Sequence, residues 1–258
     1  MVLAVDIGNS NIVLGCFEGD RVVFEERLST NRNATELEYT VTIRTLLDLY
    51  DLTASAFEGG IVSSVVPGVT QIVRSAVRRV IGKDALVLGP GTKTGLNIKL
   101  ENPGSLGSDR VADAVGAIGS YPCPLIIVDM GTATTISVVD RDKQFLGGMI
   151  MPGLRVAVDS LASRTSQLPH ISLEAPKHAI GSNTVACMQS GLIFGTACSI
   201  DGAIDLIEAE LGDKCTVVST GGLANTIIPH CRRKALTGNG SRRHLLRWGW
   251  IRMYAENA

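Results

Sequence analysis

The stretch VDIGNSN, residues 5–11, lies between two apolar runs, residues 2–5 and 12–17. Two short runs of β-type residues joined by a Gly- and Asn-rich segment read as a β-hairpin. Its bend carries an acid, Asp6, then Ile7, Gly8, Asn9, Ser10 and Asn11, with Ile12 and Val13 opening the return strand. Glycine lets backbone N–H groups approach a ligand closely, and Asn and Ser add side-chain donors. Such a turn can cradle phosphate, with Asp6 placed to hold a hydrated Mg²⁺. The same composition also serves as a plain turn, so this stretch by itself leaves both readings open.

The chain repeats the pattern. Residues 125–139 read LIIVDMGTATTISVV, again a strand, Asp-x-Gly, small hydroxyl residues and a second strand. Aligning Asp6 on Asp129 places Gly8 on Gly131. The next turn echoes too, Glu18-Gly19-Asp20-Arg21 against Asp140-Arg141-Asp142-Lys143. A third echo is IVSS (61–64) against VVST (217–220), each leading through Gly or Pro to a helix-forming stretch. The period is too long for a solenoid. It predicts an α/β chain of two related lobes, residues 1–118 and 119–258, whose acidic turns bracket a polyphosphate in a nucleotide cleft.

Composition is consistent with this. A chain of 258 residues buries roughly 70–75% of its unfolded surface. Apolar residues make up 45% and charged residues 19%, as in globular proteins. The net charge of −1 and the absence of a broad basic block before the C-terminal end argue against a nucleic-acid partner. No basic n-region precedes the first strand, and no apolar run approaches the ~18 residues of a spanning helix, so neither a leader nor a membrane is expected. The 6 cysteines show no C-x-x-C pair, and most sit in apolar contexts, which predicts reduced, buried thiols and a cytoplasmic enzyme. The histidines show no ligand spacing, so no transition-metal site is expected.

In chain order, residues 22–28 read as a third strand. A helix follows from Thr35, with Leu37, Val41, Leu46, Leu47 and Tyr50 as its apolar stripe. Residues 61–65 form a short buried strand, 69–80 a helix whose arginines face solvent, and 85–88 a closing strand. GPGTKT (89–94) resembles a Walker A loop but lacks Gly before Lys93, and Gly238-Asn239-Gly240 lacks the third glycine of a dinucleotide loop. Both are turns. At 102–110, NPGSLGSDR runs into VADAVGAIGS, with Ser108 and Asp109 at a helix start and Pro122 past its end. An acid there suits the helix dipole, and it equally suits orienting or deprotonating a substrate hydroxyl in phosphoryl transfer.

Five motifs occur in order: Asp6-x-Gly-Asn-Ser-Asn; Gly107-Ser-Asp109-Arg110; Asp129-x-Gly-Thr-Ala-Thr; Gly147-Gly148 with Pro152-Gly153-Leu154; and Gly181-x-Asn183-Thr184 with Gln189-Ser190-Gly191. Over residues 1 to about 230 the chain resembles the type III pantothenate kinases, of the acetate and sugar kinase, Hsc70 and actin superfamily. The resemblance implies two duplicated actin-like (ribonuclease H-like) lobes. It implies transfer of the ATP γ-phosphoryl to the terminal hydroxyl of pantothenate, in a homodimer needing Mg²⁺ and a monovalent cation, K⁺ or NH₄⁺.

By position, Asp6, Ile7, Gly8, Asn9, Ser10, Asn11, Ile12 and Val13 would bind the ATP phosphates, Asp6 lying near Mg²⁺. Thr132 would touch phosphate, and Gly221 and Gly222 would lie by the adenosine. Gly107, Ser108, Asp109 and Arg110 would hold pantothenate, with Asp109 the general base and Arg110 the partner of the substrate carboxylate. Asp129 would ligate the monovalent cation, and Thr184 would reach pantothenate across the dimer interface. Thr184 also fits a helix N-cap, and Gly221-Gly222 a strand-to-helix turn. Met149, Met151 and Met188 read as packing.

The chain departs from the family in two places. Leu100 stands where an aromatic residue is usual beside pantothenate, which predicts a looser pocket. Residues 234–243 are basic and Gly-rich where an acidic turn and a leucine-rich helix are usual, and 245–257 (LLRWGWIRMYAEN) retain only a trace of that helix. A second function class stays open beside the kinase: a non-catalytic nucleotide-binding relative that acts through a partner.

Overall fold

Each acid–glycine turn heads a sheet assembled in the same order. In the first, β1 (Val2–Ile7), β2 (Asn11–Glu18) and β3 (Arg21–Ser29) form an antiparallel meander. Strands β4 (Gly59–Ser64) and β5 (Ala85–Val87) add in parallel on the other side of β1, giving the order β3-β2-β1-β4-β5. After the two-residue strand β6 (Asn97–Ile98), the second sheet uses β7 (Leu125–Met130), β8 (Ala133–Val139) and β9 (Gln144–Pro152) as its meander. Strands β10 (Thr216–Thr220) and β11 (Leu236–Thr237) follow in parallel beside β7, and β6 pairs with β9. The order β9-β8-β7-β10-β11 repeats the first sheet strand for strand.

The computed structural model describes residues 1–19, 21–89, 91–237, 249 and 253–257. The chain divides into two compact units. One comprises Met1–Leu96, Glu101–Gly116 and Leu246–Ala258; the other comprises Asn97–Leu100 and Ala117–Leu245.

In the first unit, α1 (Glu36–Leu49) and α2 (Pro67–Ile81) cover the sheet over a core that includes Leu3, Val5, Ile12, Leu14, Val73 and Val77. Thr35 caps α1: its hydroxyl accepts from Glu38 N–H, and the Glu38 carboxylate accepts from Thr35 N–H at 2.7 Å. The buried face of α1 is Tyr39, Ile43, Leu46 and Leu47. Leu37 and Val41 of the expected stripe point outward, 58% and 56% exposed. The spacing 39, 43, 46, 47 follows the helical period better than the apolar count does. Pro67 takes the first position of α2, where its missing N–H costs nothing. The helix α3 (Ser108–Ser120) spans the expected stretch.

The second core packs α4 (Leu154–Arg164) and α5 (Thr184–Leu211) on β7 and β8, with α6 (Ala224–Ile227) beyond. At 28 residues, α5 is long and apolar enough to span a membrane by composition, contrary to the sequence-based expectation. Half of its most apolar window is buried, with Ile193, Ala197, Ile200 and Ile204 in this core. Only Cys16 of the free cysteines is buried; Cys187 and Cys198 are exposed and the rest half-buried. Strand Cys16 thus fits the expected inert thiol, and burial pushes it up to about 11.

One charge network ties α5 to the segment after β10. The buried Asp201 carboxylate accepts from the Arg232 and Arg233 N–H groups at 2.8 and 3.0 Å. The buried Glu208 carboxylate accepts from Lys214 at 2.7 Å, from Cys215 N–H at 3.0 Å and from Arg233. Burial pushes the Glu208 carboxyl up, but these donors outweigh it and bring it from 4.5 down to about 2. A depressed folded-state value means stability that is complete above the unfolded value and is lost as pH falls through the folded one. The melting temperature of the wild type is therefore expected to fall between pH 4.5 and 2 more steeply than that of Glu208→Gln. Parallel melting curves in the two proteins would exclude Glu208 as a source of acid sensitivity.

Of the C-terminal helix expected over 245–257, residues 253–257 are helical and Met253 is fully buried. Asn257 grips the backbone of Lys93: its amide donates to Lys93 O at 2.7 Å, and its oxygen accepts from Lys93 N–H at 3.0 Å. The Gly238-Asn239-Gly240 turn, Arg242, Arg243, Arg247, Trp248, Trp250, Ile251 and Arg252 lie outside the described residues, as does Asp20.

Candidate active site

The first turn is closed by Gly8 N–H donating to Asn11 O at 2.9 Å, and the second by Gly131 N–H donating to Ala133 O at 3.0 Å. Asp6 and Asp129 occupy matching places, each the next-to-last residue of a central strand and each nearly buried, at 6% and 8% exposure. Asp6 pairs with Val13 across the hairpin, and Asp129 with Thr135. Asn9 and Ser10 are exposed at the tip of the first turn; Ile12 and Val13 are buried behind it.

The third echo holds with a shift. On the parallel neighbour strands Asp6 faces Ser63, and Asp129 faces Thr220. Thus Ser63 matches Thr220, one residue from the alignment of IVSS on VVST. Such a step exchanges the two faces of a strand.

Ser63 is the residue that sequence reasoning missed. Fully buried, it donates to Asp6 Oδ1 at 3.0 Å and lies 3.0 Å from the Ser108 hydroxyl. Ser108 also accepts from Ser64 N–H at 3.1 Å. Within the first unit, the acid of the turn is thereby tied to the first residue of α3. The next residue, Asp109, is half-buried, and its Oδ1 accepts from Arg110 N–H at 2.8 Å, an arrangement that suits the positive end of the helix. A Cβ at Gly107 would stand 2.6 Å from Asp109 Oδ1, so any larger residue there would push that carboxylate aside. Burial pulls the Arg110 guanidinium below its usual value, and the Asp109 carboxylate opposes that shift.

In the second unit, Gly153 N–H donates to Thr132 O at 3.1 Å, and a Cβ on Gly153 would collide with that oxygen. This close approach explains the glycine of the Pro152-Gly153-Leu154 motif. Thr132 itself is exposed. Gly221 takes a left-handed φ of 99° and packs on the Met130 backbone, where a Cβ would also meet Asp129 Oδ1 at 2.6 Å. Gly222 is exposed. The Thr220 hydroxyl, beside Asp129 and 2% exposed, has no hydrogen-bond partner among the described residues.

Leu100 belongs to the second unit and packs over Gly147. Thr184 is exposed as the first residue of α5, and the cap is Asn183, which accepts from Ala186 N–H at 2.9 Å. The N-cap reading of Thr184 is therefore displaced by one residue. At residues 89–94, Thr92 N–H donates to Gly89 O at 3.0 Å, closing a turn as expected.

Comparison with known proteins adds to this geometry. The family described as type III pantothenate kinase matches residues 2–206. Type III pantothenate kinase of an Exiguobacterium species is 43% identical over 230 residues, covering 89% of this chain and 90% of the relative. The Brevibacillus brevis enzyme of the same name is 44% identical over 225 residues, covering 87% and 88%. Among solved structures, the ROK hexokinase of Thermus thermophilus superposes with a TM-score of 0.55 at 12% identity, covering 99% of this chain and 98% of that one. That likeness concerns the fold, two actin-like units of the sugar kinase kind. With its duplicated sheets, its paired acid–glycine turns and this similarity over nearly nine-tenths of its length, the chain belongs to the type III pantothenate kinase family.

Proposed function

We propose that the protein transfers the γ-phosphoryl group of ATP to the terminal 4'-hydroxyl of pantothenate, the first step of coenzyme A biosynthesis. Family membership supports the activity, and one structural observation supports the assignment of residues. That observation is the Asp6–Ser63–Ser108 hydrogen-bonded link, which ties the expected phosphate turn to the expected substrate helix within one unit.

In this reading, residues 6–13 cradle the ATP phosphates with backbone N–H groups, and Thr132, Gly221 and Gly222 serve the same nucleotide. Gly107 and Ser108 hold pantothenate together with Leu100 and Thr184, and Arg110 pairs with its carboxylate. The Asp109 carboxylate accepts the hydroxyl proton as the oxygen forms its bond to the γ-phosphorus and the bond to the ADP oxygen breaks. Phosphoryl transfer passes through a loose transition state, so the chain contributes mainly position and charge.

Mg²⁺ suits Asp6, a hard carboxylate donor at the foot of the turn. A monovalent cation, K⁺ or NH₄⁺, suits Asp129, beside which stands the buried Thr220 hydroxyl, without a hydrogen-bond partner among the described residues. Bound there, such cations supply positive charge against the phosphates. We further propose a cytoplasmic homodimer with no nucleic-acid or membrane partner.

The test is a coupled ADP-release assay with ATP, Mg²⁺ and K⁺. ADP is expected to appear only when pantothenate is present, with 4'-phosphopantothenate identified by mass. Folded protein that binds ATP but gives no pantothenate-dependent ADP would overturn the kinase in favour of a non-catalytic relative.

A further inference from the structure

The segment after β3 is clamped onto the tip of the first turn. Thr30 N–H donates to Ser10 O at 3.1 Å, and the Thr30 hydroxyl donates to Gly8 O at 2.7 Å. The next residue is held from the other side. The buried Tyr39 hydroxyl donates to Asn31 O at 2.8 Å and accepts from Asn31 N–H at 3.2 Å. Asn31 Oδ1 then accepts from Asn33 N–H at 3.0 Å.

Between these fixed points lies Arg32, whose Nη2 donates to Asn9 Oδ1 at 2.8 Å. Asn9 stands at the exposed tip of the turn. None of the ion pairs among the described residues engages Arg32. A guanidinium carries five N–H donors in a planar fork that matches phosphate oxygens. Asn9 accepts from one of them and holds that end of the side chain at the turn. The cation is thus held beside the turn read as the phosphate cradle, with its own backbone ordered in advance.

We infer that Arg32 is a phosphate-binding residue of this turn, its remaining donors engaging the polyphosphate of the nucleotide. The inference rests on reading residues 6–13 as the phosphate cradle. It adds a cation to a site whose other protein groups are backbone N–H, amide, hydroxyl and one acid.

The test compares Arg32→Ala, Arg32→Lys and Asp6→Asn with the wild type. Affinities for a non-hydrolysable ATP analogue and for adenosine are measured by calorimetry, and KM for ATP and pantothenate by ADP release. Arg32→Ala is expected to weaken the ATP analogue and raise the ATP KM by roughly tenfold or more, the scale of a charge-assisted hydrogen bond. Adenosine affinity and the pantothenate KM stay unchanged, and Arg32→Lys recovers part of the loss. An ATP affinity within about twofold of the wild type, or equal losses for ATP and adenosine, overturns the proposal. If Asp6→Asn impairs turnover while Arg32→Ala keeps ATP affinity, Arg32 fails and the cradle stands. If both variants keep full ATP affinity and turnover, the cradle reading falls with it.

Discussion

Asp109→Asn is expected to lower kcat for pantothenate-dependent ADP release by about 10²–10⁴-fold, the range of a positioned general base. The substitution is nearly isosteric and keeps an Oδ1 that can accept from Arg110 N–H, the bond that holds Asp109 at the start of α3. The melting temperature and the KM for ATP should therefore change little. What the amide loses is the ability to take a proton from the substrate hydroxyl. A kcat within about tenfold of the wild type would move the base to another residue.

Gly148→Ala is expected to unfold the second unit or to cost it more than about 3 kcal/mol, among the large effects for a single substitution. Gly148 has a φ of 144°, which L side chains rarely adopt, and a Cβ there would overlap the Ile136 carbonyl oxygen on the adjacent strand. Strand β8 cannot yield, because Ile136 is fully buried. Gly191→Ala supplies the contrast. That glycine is exposed within α5, and a Cβ there meets nothing within 4 Å. Alanine should stabilise the helix by up to about 1 kcal/mol. Urea denaturation distinguishes the two, and a midpoint for Gly148→Ala equal to the wild type would remove the steric argument.

The duplicated architecture was legible because each copy announces itself locally, as apolar strand, Asp-x-Gly and returning strand. The echo of IVSS and VVST marked the right strands but lay one residue out of register. Both tetrapeptides place β-branched or hydroxyl residues at every step, so neither reveals which side faces its acid. The stripe assigned to α1 failed because Leu37 and Val41 are apolar yet exposed; hydrophobicity alone does not place a side chain inside. Helix α5 escaped notice as a span-length segment because Ser190, Asp201 and Glu208 punctuate it, and all of them turn out to be buried. Ser63 was out of reach for a different reason. Its partners lie 57 and 45 residues away: the parallel pairing of β1 with β4 brings in Asp6, and the placement of the start of α3 beside β4 brings in Ser108.

The clasp of Asn257 on Lys93 bears on the order in which the protein takes shape. A ribosome delivers the chain from residue 1 onward, yet the first unit takes Met253 into its interior and Asn257 onto its loop. Every described strand of the second unit has been synthesised before those residues exist. The unit that starts first is therefore finished last, and a nascent chain halted near residue 245 holds all of one unit and an open seam in the other.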